Sequence, residues 1–150
     1  MRYSIIFLLF LSLFFVGCKD EAENYLRFSI YNRTDHQVRI DTNIESDIYD
    51  SEQTYEMAAG DMVTIARVYC HAGFSSDLLN KNKDAYFNIY LMTDQDDVLV
   101  RSWSYENYDK EERSMFNPIF VSQHVLSDTE DMLEINYIFT ILPEDLERKL

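Results

Sequence analysis

The chain has few of the residues from which compact chemical sites are built. Its 150 residues include three glycines, two prolines, two cysteines, three histidines and one tryptophan. A phosphate-binding loop needs closely spaced glycines, which this chain lacks. The G-x-S-x-G motif of serine hydrolases and the spaced Cys/His pairs of zinc sites are also missing from the sequence. The sequence therefore predicts no catalytic site, no metal site and no cofactor.

Positive charge is scarce as well. There are 13 Lys and Arg against 27 Asp and Glu, which gives a formal net charge of −14. Nucleic-acid phosphates repel such a chain, so we expect no nucleic-acid partner. Anionic lipid head groups repel it too, so a membrane contact would need something other than a basic patch.

An apolar run near the N-terminus is the longest hydrophobic feature. It extends from Ile5 to Val16, follows Arg2 and is 12 residues long. As a helix it would span about 18 Å, which is short of the roughly 30 Å hydrocarbon core of a bilayer. A buried core helix is the alternative, but no polar face interrupts the run. The pattern is typical of the apolar region of a secretory signal.

The run ends in Phe15-Val16-Gly17-Cys18. This ending resembles the lipobox of bacterial lipoproteins, although Phe15 stands where that motif usually has Leu. The resemblance implies cleavage after Gly17, lipid attachment to Cys18 and a membrane partner held through that lipid. Each buried methylene contributes about 0.8 kcal/mol, so two or three acyl chains would anchor the protein firmly. The alternative is ordinary secretion with Cys18 as a free or disulfide-bonded thiol, but no small-x-small cleavage site lies nearby.

Charged residues follow the cysteine directly, as Lys19-Asp20-Glu21 and then Glu23. They resemble the short acidic export signal of Bacteroidota-type lipoproteins, which implies display on the outer face of the outer membrane. The alternative is a solvated tether on a periplasm-facing lipoprotein, because segments poor in apolar residues stay disordered.

The organisation that we predict is a signal peptide at 1–17, an acidic tether at 18–24 and one β domain at 25–150. Apolar residues alternate with polar ones in about eight segments, as in Leu26, Phe28 and Ile30. Short strands without alternating helices predict an all-β, antiparallel, Ig-like sandwich of seven to eight strands. The Cys…Trp…Cys pattern of true immunoglobulin domains is missing.

Individual segments predict hairpins, a turn, a central strand and a helical turn. Residues 25–32 and 36–41 are read as one hairpin and 85–105 as another, and a turn is expected at Gly60-Asp61. The strand at 62–70 has apolar residues on both faces, which is typical of a central strand. Pro143 is expected to begin a short C-terminal helical turn.

The stretches DAYFNIYLM, VLVRSWSY and LEINYIFTI complete a second resemblance, to small Bacteroidota-type lipoproteins of unknown function. That resemblance implies a single sandwich-like domain behind a lipobox. It implies no activity.

Three aromatic residues are candidates for ligand binding. Trp103 and Tyr105 share one face of a predicted strand, and Tyr108 follows in a loop. On an open surface they could stack on sugar rings or on a protein partner. The alternative is that Trp103 and Tyr105 belong to the core.

The remaining candidate residues each have a structural explanation beside the functional one. Asp94, Asp96 and Asp97 crowd one turn and could hold Ca²⁺, but the loop lacks the other features of an EF-hand and fits a solvated β-turn. Cys70 is a buried apolar residue or a reactive thiol. Asn32 begins an N-glycosylation-type tripeptide, which we interpret as turn residues in a bacterial envelope.

These observations predict a lipid-anchored envelope protein whose β domain is non-enzymatic and serves a binding or structural role. One alternative is a carbohydrate-binding accessory protein at the cell surface. Another is a partner in envelope or pilus assembly that uses an exposed strand edge.

Overall fold

In the residues that the structure describes, eight β-strands form nearly all of the regular structure. The computed structural model of the protein describes residues 23–45, 52–69, 83–106, 113–129 and 132–147. The strands are β1 (Glu23–Asn32), β2 (Val38–Thr42), β3 (Gln53–Met57), β4 (Met62–Tyr69), β5 (Tyr86–Leu91), β6 (Val98–Ser104), β7 (Val121–Asp128) and β8 (Met132–Ile141). A 3₁₀ turn, Pro118–Phe120, precedes β7, and a helical turn, α1 (Pro143–Leu146), follows β8.

The strands form two four-stranded sheets. The first has the order β4-β1-β8-β7 and the second has the order β3-β2-β5-β6. Every neighbouring pair is antiparallel except β1 and β8, which run parallel from Glu23 opposite Met132 to Asn32 opposite Ile141. The prediction of an all-β sandwich of seven to eight strands is confirmed.

The core lies between the two sheets and is built from the inward residues of both. The rings of Trp103 on β6 and Phe139 on β8 pack edge to face with centroids 5.5 Å apart, which joins the sheets directly. On the other side Trp103 stacks on Phe87 at 6.0 Å. The buried aliphatic residues of β1, β2, β4 and β5 include Leu26, Ile30, Val38, Ile40, Ile65, Val68 and Ile89.

The predicted hairpins have different outcomes. The hairpin at 85–105 is confirmed, because β5 and β6 pair antiparallel. The hairpin of 25–32 with 36–41 is wrong, because β1 lies in the first sheet and β2 in the second. The turn at Gly60 is confirmed, and its φ of +85° is a conformation that glycine adopts without strain. Turn residues mark where a chain reverses, but they do not tell a hairpin from a crossing between sheets.

The prediction that β4 is a central strand is also wrong, because β4 lies at the edge of the first sheet. A β-bulge explains its apolar pattern. Where β1 steps from Phe28 to Ser29, β4 has one extra residue, Ile65. Ile65 and Ala66 are consecutive and both fully buried, and Val68 follows on the core side. The bulge shifts the inward positions from odd to even numbers, so apolar residues occur at both.

Asn32 is a fully buried polar residue where β1 leaves the first sheet. Its Nδ2 atom lies 2.8 Å from the carbonyl oxygen of His36, 3.3 Å from that of Met57 and 3.0 Å from that of Ala58. Its Oδ1 accepts hydrogen bonds from the backbone N–H and the hydroxyl of Thr34 at 3.1 and 2.8 Å. These bonds hold the β1–β2 connection against the β3–β4 turn, which agrees with the interpretation of Asn32 as a turn residue.

A buried ion pair fixes the chain after β8. Nε of Arg113 donates to both carboxylate oxygens of Asp145 at 3.0 Å, and Asp145 is only 2% exposed. Asp145 also accepts from the backbone N–H of Leu142 at 2.9 Å. The Arg113 guanidinium lies 5.0 Å from the centroid of the Phe139 ring. The helical turn expected after Pro143 is therefore packed against the sandwich.

We expect Asn32→Asp to destabilise the protein by about 3 kcal/mol or more, because a buried carboxylate would face three carbonyl oxygens and lose the amide donor. Urea unfolding followed by circular dichroism measures the change. The exposed Gln123 on β7 provides the control, since Gln123→Glu makes the same chemical change in solvent. Equal stability of the two variants would contradict the role that we assign to Asn32.

Candidate ligand-binding face

Trp103, the first of the predicted ligand-binding aromatics, is 9% exposed and lies in the core against Phe87 and Phe139. Tyr105 is half-buried, and its ring meets Phe116 at 6.0 Å. Tyr108 lies outside the described residues. The burial of Trp103 favours the core interpretation for this residue.

We expect Trp103→Ala to cost about 3–5 kcal/mol of folding stability, since it removes a large side chain between the two sheets. Thermal unfolding measures this loss. Leu126→Ala is the control, because Leu126 is 51% exposed and should change stability by less than about 0.5 kcal/mol. A Trp103→Ala protein as stable as the control would show that the ring is not part of the core.

The turn that carries Asp94, Asp96 and Asp97 is held by its own hydrogen bonds. The Thr93 hydroxyl donates to the carbonyl oxygen of Asp96 at 2.7 Å and accepts from the backbone N–H of Asp96 at 3.2 Å. The carboxylate of Asp97 pairs with Arg39 on β2. In the part of the chain that the structure describes, no group of three or more His, Cys, Asp and Glu side chains is placed to hold a metal ion.

Gly17, Cys18 and Cys70, which the sequence analysis singles out, also lie outside the described residues. No helix in the described ranges has the length and apolar character needed to cross a bilayer.

A cluster of three charged side chains lies on the outer face of the first sheet, and we name it the Arg27–Glu134–Arg67 cluster. Nε of Arg27 on β1 donates to Oε1 of Glu134 on β8 at 2.7 Å. Nε of Arg67 on β4 donates to the same oxygen at 3.0 Å. The Glu134 side chain is 8% exposed, whereas those of Arg27 and Arg67 are 38% and 33% exposed. Two partly exposed cations therefore cover one buried anion.

Strand register brings these residues together. Arg27 points outward because its neighbours Leu26 and Phe28 point into the core. Arg67 lies directly opposite Arg27 in the antiparallel β1–β4 pair, and Glu134 is opposite Tyr25 in the parallel β1–β8 pair. Like charges opposite each other across two strands destabilise a sheet. Glu134 accepts a hydrogen bond from each arginine and so offsets this repulsion.

Neighbouring side chains hold the cluster in place. The guanidinium of Arg67 lies 3.9 Å from the centroid of the Tyr25 ring, and the Tyr25 and Tyr69 rings meet edge to face at 5.5 Å. In an adjoining row the Ser29 hydroxyl donates to Oδ1 of Asn136 at 2.8 Å. The face is thus a hydrogen-bonded polar surface with two half-buried aromatic rings at one end.

The electrostatics of Glu134 follow from these contacts. The hydrogen bond from Arg27 lowers the pKa of the Glu134 carboxyl below its ordinary value, and the bond from Arg67 adds to this effect, while burial opposes it. Glu134 is therefore ionised at neutral pH, and the cluster has a charge of +1.

The outer face of the second sheet has the opposite character. There Arg39 lies 4.0 Å from the centroid of the Tyr90 ring, and it pairs with two carboxylates, those of Asp41 and Asp97. Burial raises the pKa of the Tyr86 hydroxyl on this face, and the charges of nearby acidic residues raise it further. Here Arg39 pairs with two carboxylates, whereas in the Arg27–Glu134–Arg67 cluster one carboxylate pairs with two guanidiniums.

Sequence reasoning missed the Arg27–Glu134–Arg67 cluster. Arg27 and Glu134 are 107 residues apart in the chain. The outward position of Arg27 could be inferred from the alternation of β1, but the partner of Arg27 depends on which strands lie beside it. Without the β4-β1-β8 order, nothing singles these three residues out among 40 charged ones.

Comparisons of the chain with family models, with curated proteins and with solved structures find no match.

The stabilisation that Glu134 provides should depend on pH. Its pKa is lower in the folded state than the ordinary value of 4.5, so the unfolded chain binds more protons as the pH falls. The stabilisation is then complete above that ordinary value and is lost as the pH falls through the lower folded-state pKa. We expect Glu134→Gln to be less stable than the unchanged protein at pH 7 and to approach its stability as the pH falls below 4.5.

Urea unfolding at several pH values between 7 and 3 measures this difference. Glu144→Gln, the same change at an exposed residue, should follow the unchanged protein throughout. If the difference in the free energy of unfolding between Glu134→Gln and the unchanged protein widened on acidification, the lowered pKa that we assign to Glu134 would be contradicted.

Proposed function

We propose that the protein is a lipid-anchored lipoprotein of a bacterial outer membrane, with a non-enzymatic β domain that binds a partner molecule. The observation that carries the proposal is the short apolar leader that ends in Phe15-Val16-Gly17-Cys18 and is followed at once by charged residues. The acidic residues after Cys18 support display at the cell surface.

The position of β1 supports a short tether. β1 begins at Glu23, five residues after Cys18, and five extended residues span at most about 18 Å. Since β8 runs parallel to β1, both strands begin at the tethered end of the sandwich. The Arg27–Glu134–Arg67 cluster lies in the half of the first sheet nearer to that end.

The chemistry of the cluster supports binding over catalysis. A general acid needs a raised pKa and a proton that it can donate. Glu134 has a lowered pKa, and its Oε1 accepts from both arginines. The exposed groups are the guanidiniums, which recognise anions and do not transfer protons at neutral pH.

One observation favours the assembly alternative as a second candidate function. Among the described strands β7 is an edge strand that pairs only with β8, and its Val125 and Leu126 are 57% and 51% exposed. An exposed apolar strand edge can accept an extended segment of another chain.

We expect Cys18→Ala to abolish fatty-acid labelling and to move the protein out of the membrane fraction of a lipoprotein-processing bacterium. Without the acceptor sulfur no acyl chain can be attached. Cys70→Ala is the matched control, since it removes the only other cysteine and should leave labelling and fractionation unchanged. Growth with labelled palmitate, followed by fractionation and intact-mass measurement, reads out both effects.

Fatty-acid label on the Cys18→Ala protein would contradict the lipid anchor. So would an unchanged protein that keeps its leader and carries no label.

A further inference from the structure

We propose that two copies of the protein join through β7, which forms an antiparallel pair with the β7 strand of the second copy. The inference goes beyond the proposed function, and it depends on neither the leader nor the lipid anchor. It takes the strand edge that favours the assembly alternative and names a second copy as the chain that covers this edge.

The accessibility of β7 is the first argument. Ser122 to Leu126 are five consecutive exposed residues, whereas no other described strand has more than two in succession. Every second residue of an edge strand directs its backbone N–H and C=O groups away from the sheet, where another strand can bond to them. Among the described strands β7 pairs only with β8, so its outer edge is open to a further strand.

The absence of charge is the second argument. The chain has 40 charged residues, yet no Asp, Glu, Lys or Arg occurs from Ser114 to Ser127. Two copies with a net charge of −14 each repel one another, so they can meet closely only where like charges do not face each other. The other described edge strands, β3, β4 and β6, contain Glu56, Arg67 and Arg101 in turn, whereas β7 has no charged residue before its last, Asp128.

A symmetric order of side chains is the third argument. Val121 to Val125 is apolar at both ends and polar between them. With Gln123 on the two-fold axis, Val121 meets Val125 of the partner subunit, and Ser122 meets His124 of the partner subunit. Opposite residues of an antiparallel pair lie on the same face of a sheet, so apolar meets apolar and polar meets polar. The 57% exposed side chain of Val125 is thereby covered.

Both ends of the paired stretch are set by the chain itself. Pro118 precedes β7 and has no N–H to donate, and Leu126 is the extra residue of the bulge that β7 forms against β8. Each interrupts regular pairing. The contact therefore extends over five residues, and we expect a weak dimer that is dissociated at the low concentrations used in unfolding experiments.

The direction of β7 determines how such a dimer is tethered. β7 runs antiparallel to β8, so it ends at the tethered end of the sandwich. Antiparallel pairing then puts the two tethered ends at opposite ends of the joined sheet. Both tethers reach one membrane only when this sheet lies along the membrane surface.

Sedimentation velocity at increasing concentrations of the full protein, purified from cells in non-ionic detergent, measures the dimer. We expect Val125→Lys to raise the dissociation constant at least tenfold, because it puts a lysine where two valines meet. Met62→Lys is the matched control, since Met62 is 53% exposed on β4, at the opposite edge of the same sheet, and it should leave the dimer unchanged. Circular dichroism of each variant establishes folding.

Disulfide formation measures the register. In Cys70→Ala protein, which is also the background control, Gln123→Cys should form a linked dimer on mild oxidation. A mixture of the Ser122→Cys and His124→Cys proteins should link about tenfold faster than either protein alone, because these two positions meet across the axis.

A protein that stays monomeric at every concentration would overturn the proposal, as would equal dissociation constants for Val125→Lys and Met62→Lys. Ser122→Cys protein that links to itself faster than to His124→Cys protein would overturn the register. Gln123→Cys protein that links in cells to a different protein, and not to itself, would replace the second copy by a foreign strand. Fatty-acid labelling is a separate measurement, so the dimer and the lipid anchor can fail independently.

Discussion

The parallel pairing of β1 with β8 is the constraint on which the rest of the structure depends. It puts a strand from the start of the described chain beside the last one, in the middle of the first sheet. Four of the strands that lie between them in the chain, β2, β3, β5 and β6, form the second sheet, and Trp103 and Phe139 close the core where the sheets meet. The same pairing brings Glu134 beside Arg27, so the fold and the candidate site have a common cause.

Local patterns were sufficient to predict the strands but not their partners. Alternation in β1 and β5 and the turn at Gly60 are properties of neighbouring residues, so the sequence displays them directly. Partner choice is decided by side chains that meet only in the folded chain. Asn32 illustrates this limit, because its tripeptide correctly predicts a turn, yet its amide group holds two turns that belong to different pairs of strands.

β-Bulges account for other differences between the predicted and the observed strands. An extra residue occurs at Ile65 in β4, at Val100 in β6 and at Leu126 in β7, opposite a single step of the partner strand. In β4 and β6 the extra residue is buried, so inward positions change parity within one strand. A reading that assumes strict alternation then finds apolar residues on both faces and infers a central strand. The edge position of β4 shows why that inference fails.

The two outer faces of the sandwich explain how so acidic a protein can present a cationic site. On the second sheet carboxylates surround Arg39, and that face shares the negative charge of the whole chain. On the first sheet Glu134 is buried and already paired, so the exposed groups are guanidiniums. An anion that approaches meets long-range repulsion from the protein and short-range attraction at the Arg27–Glu134–Arg67 cluster.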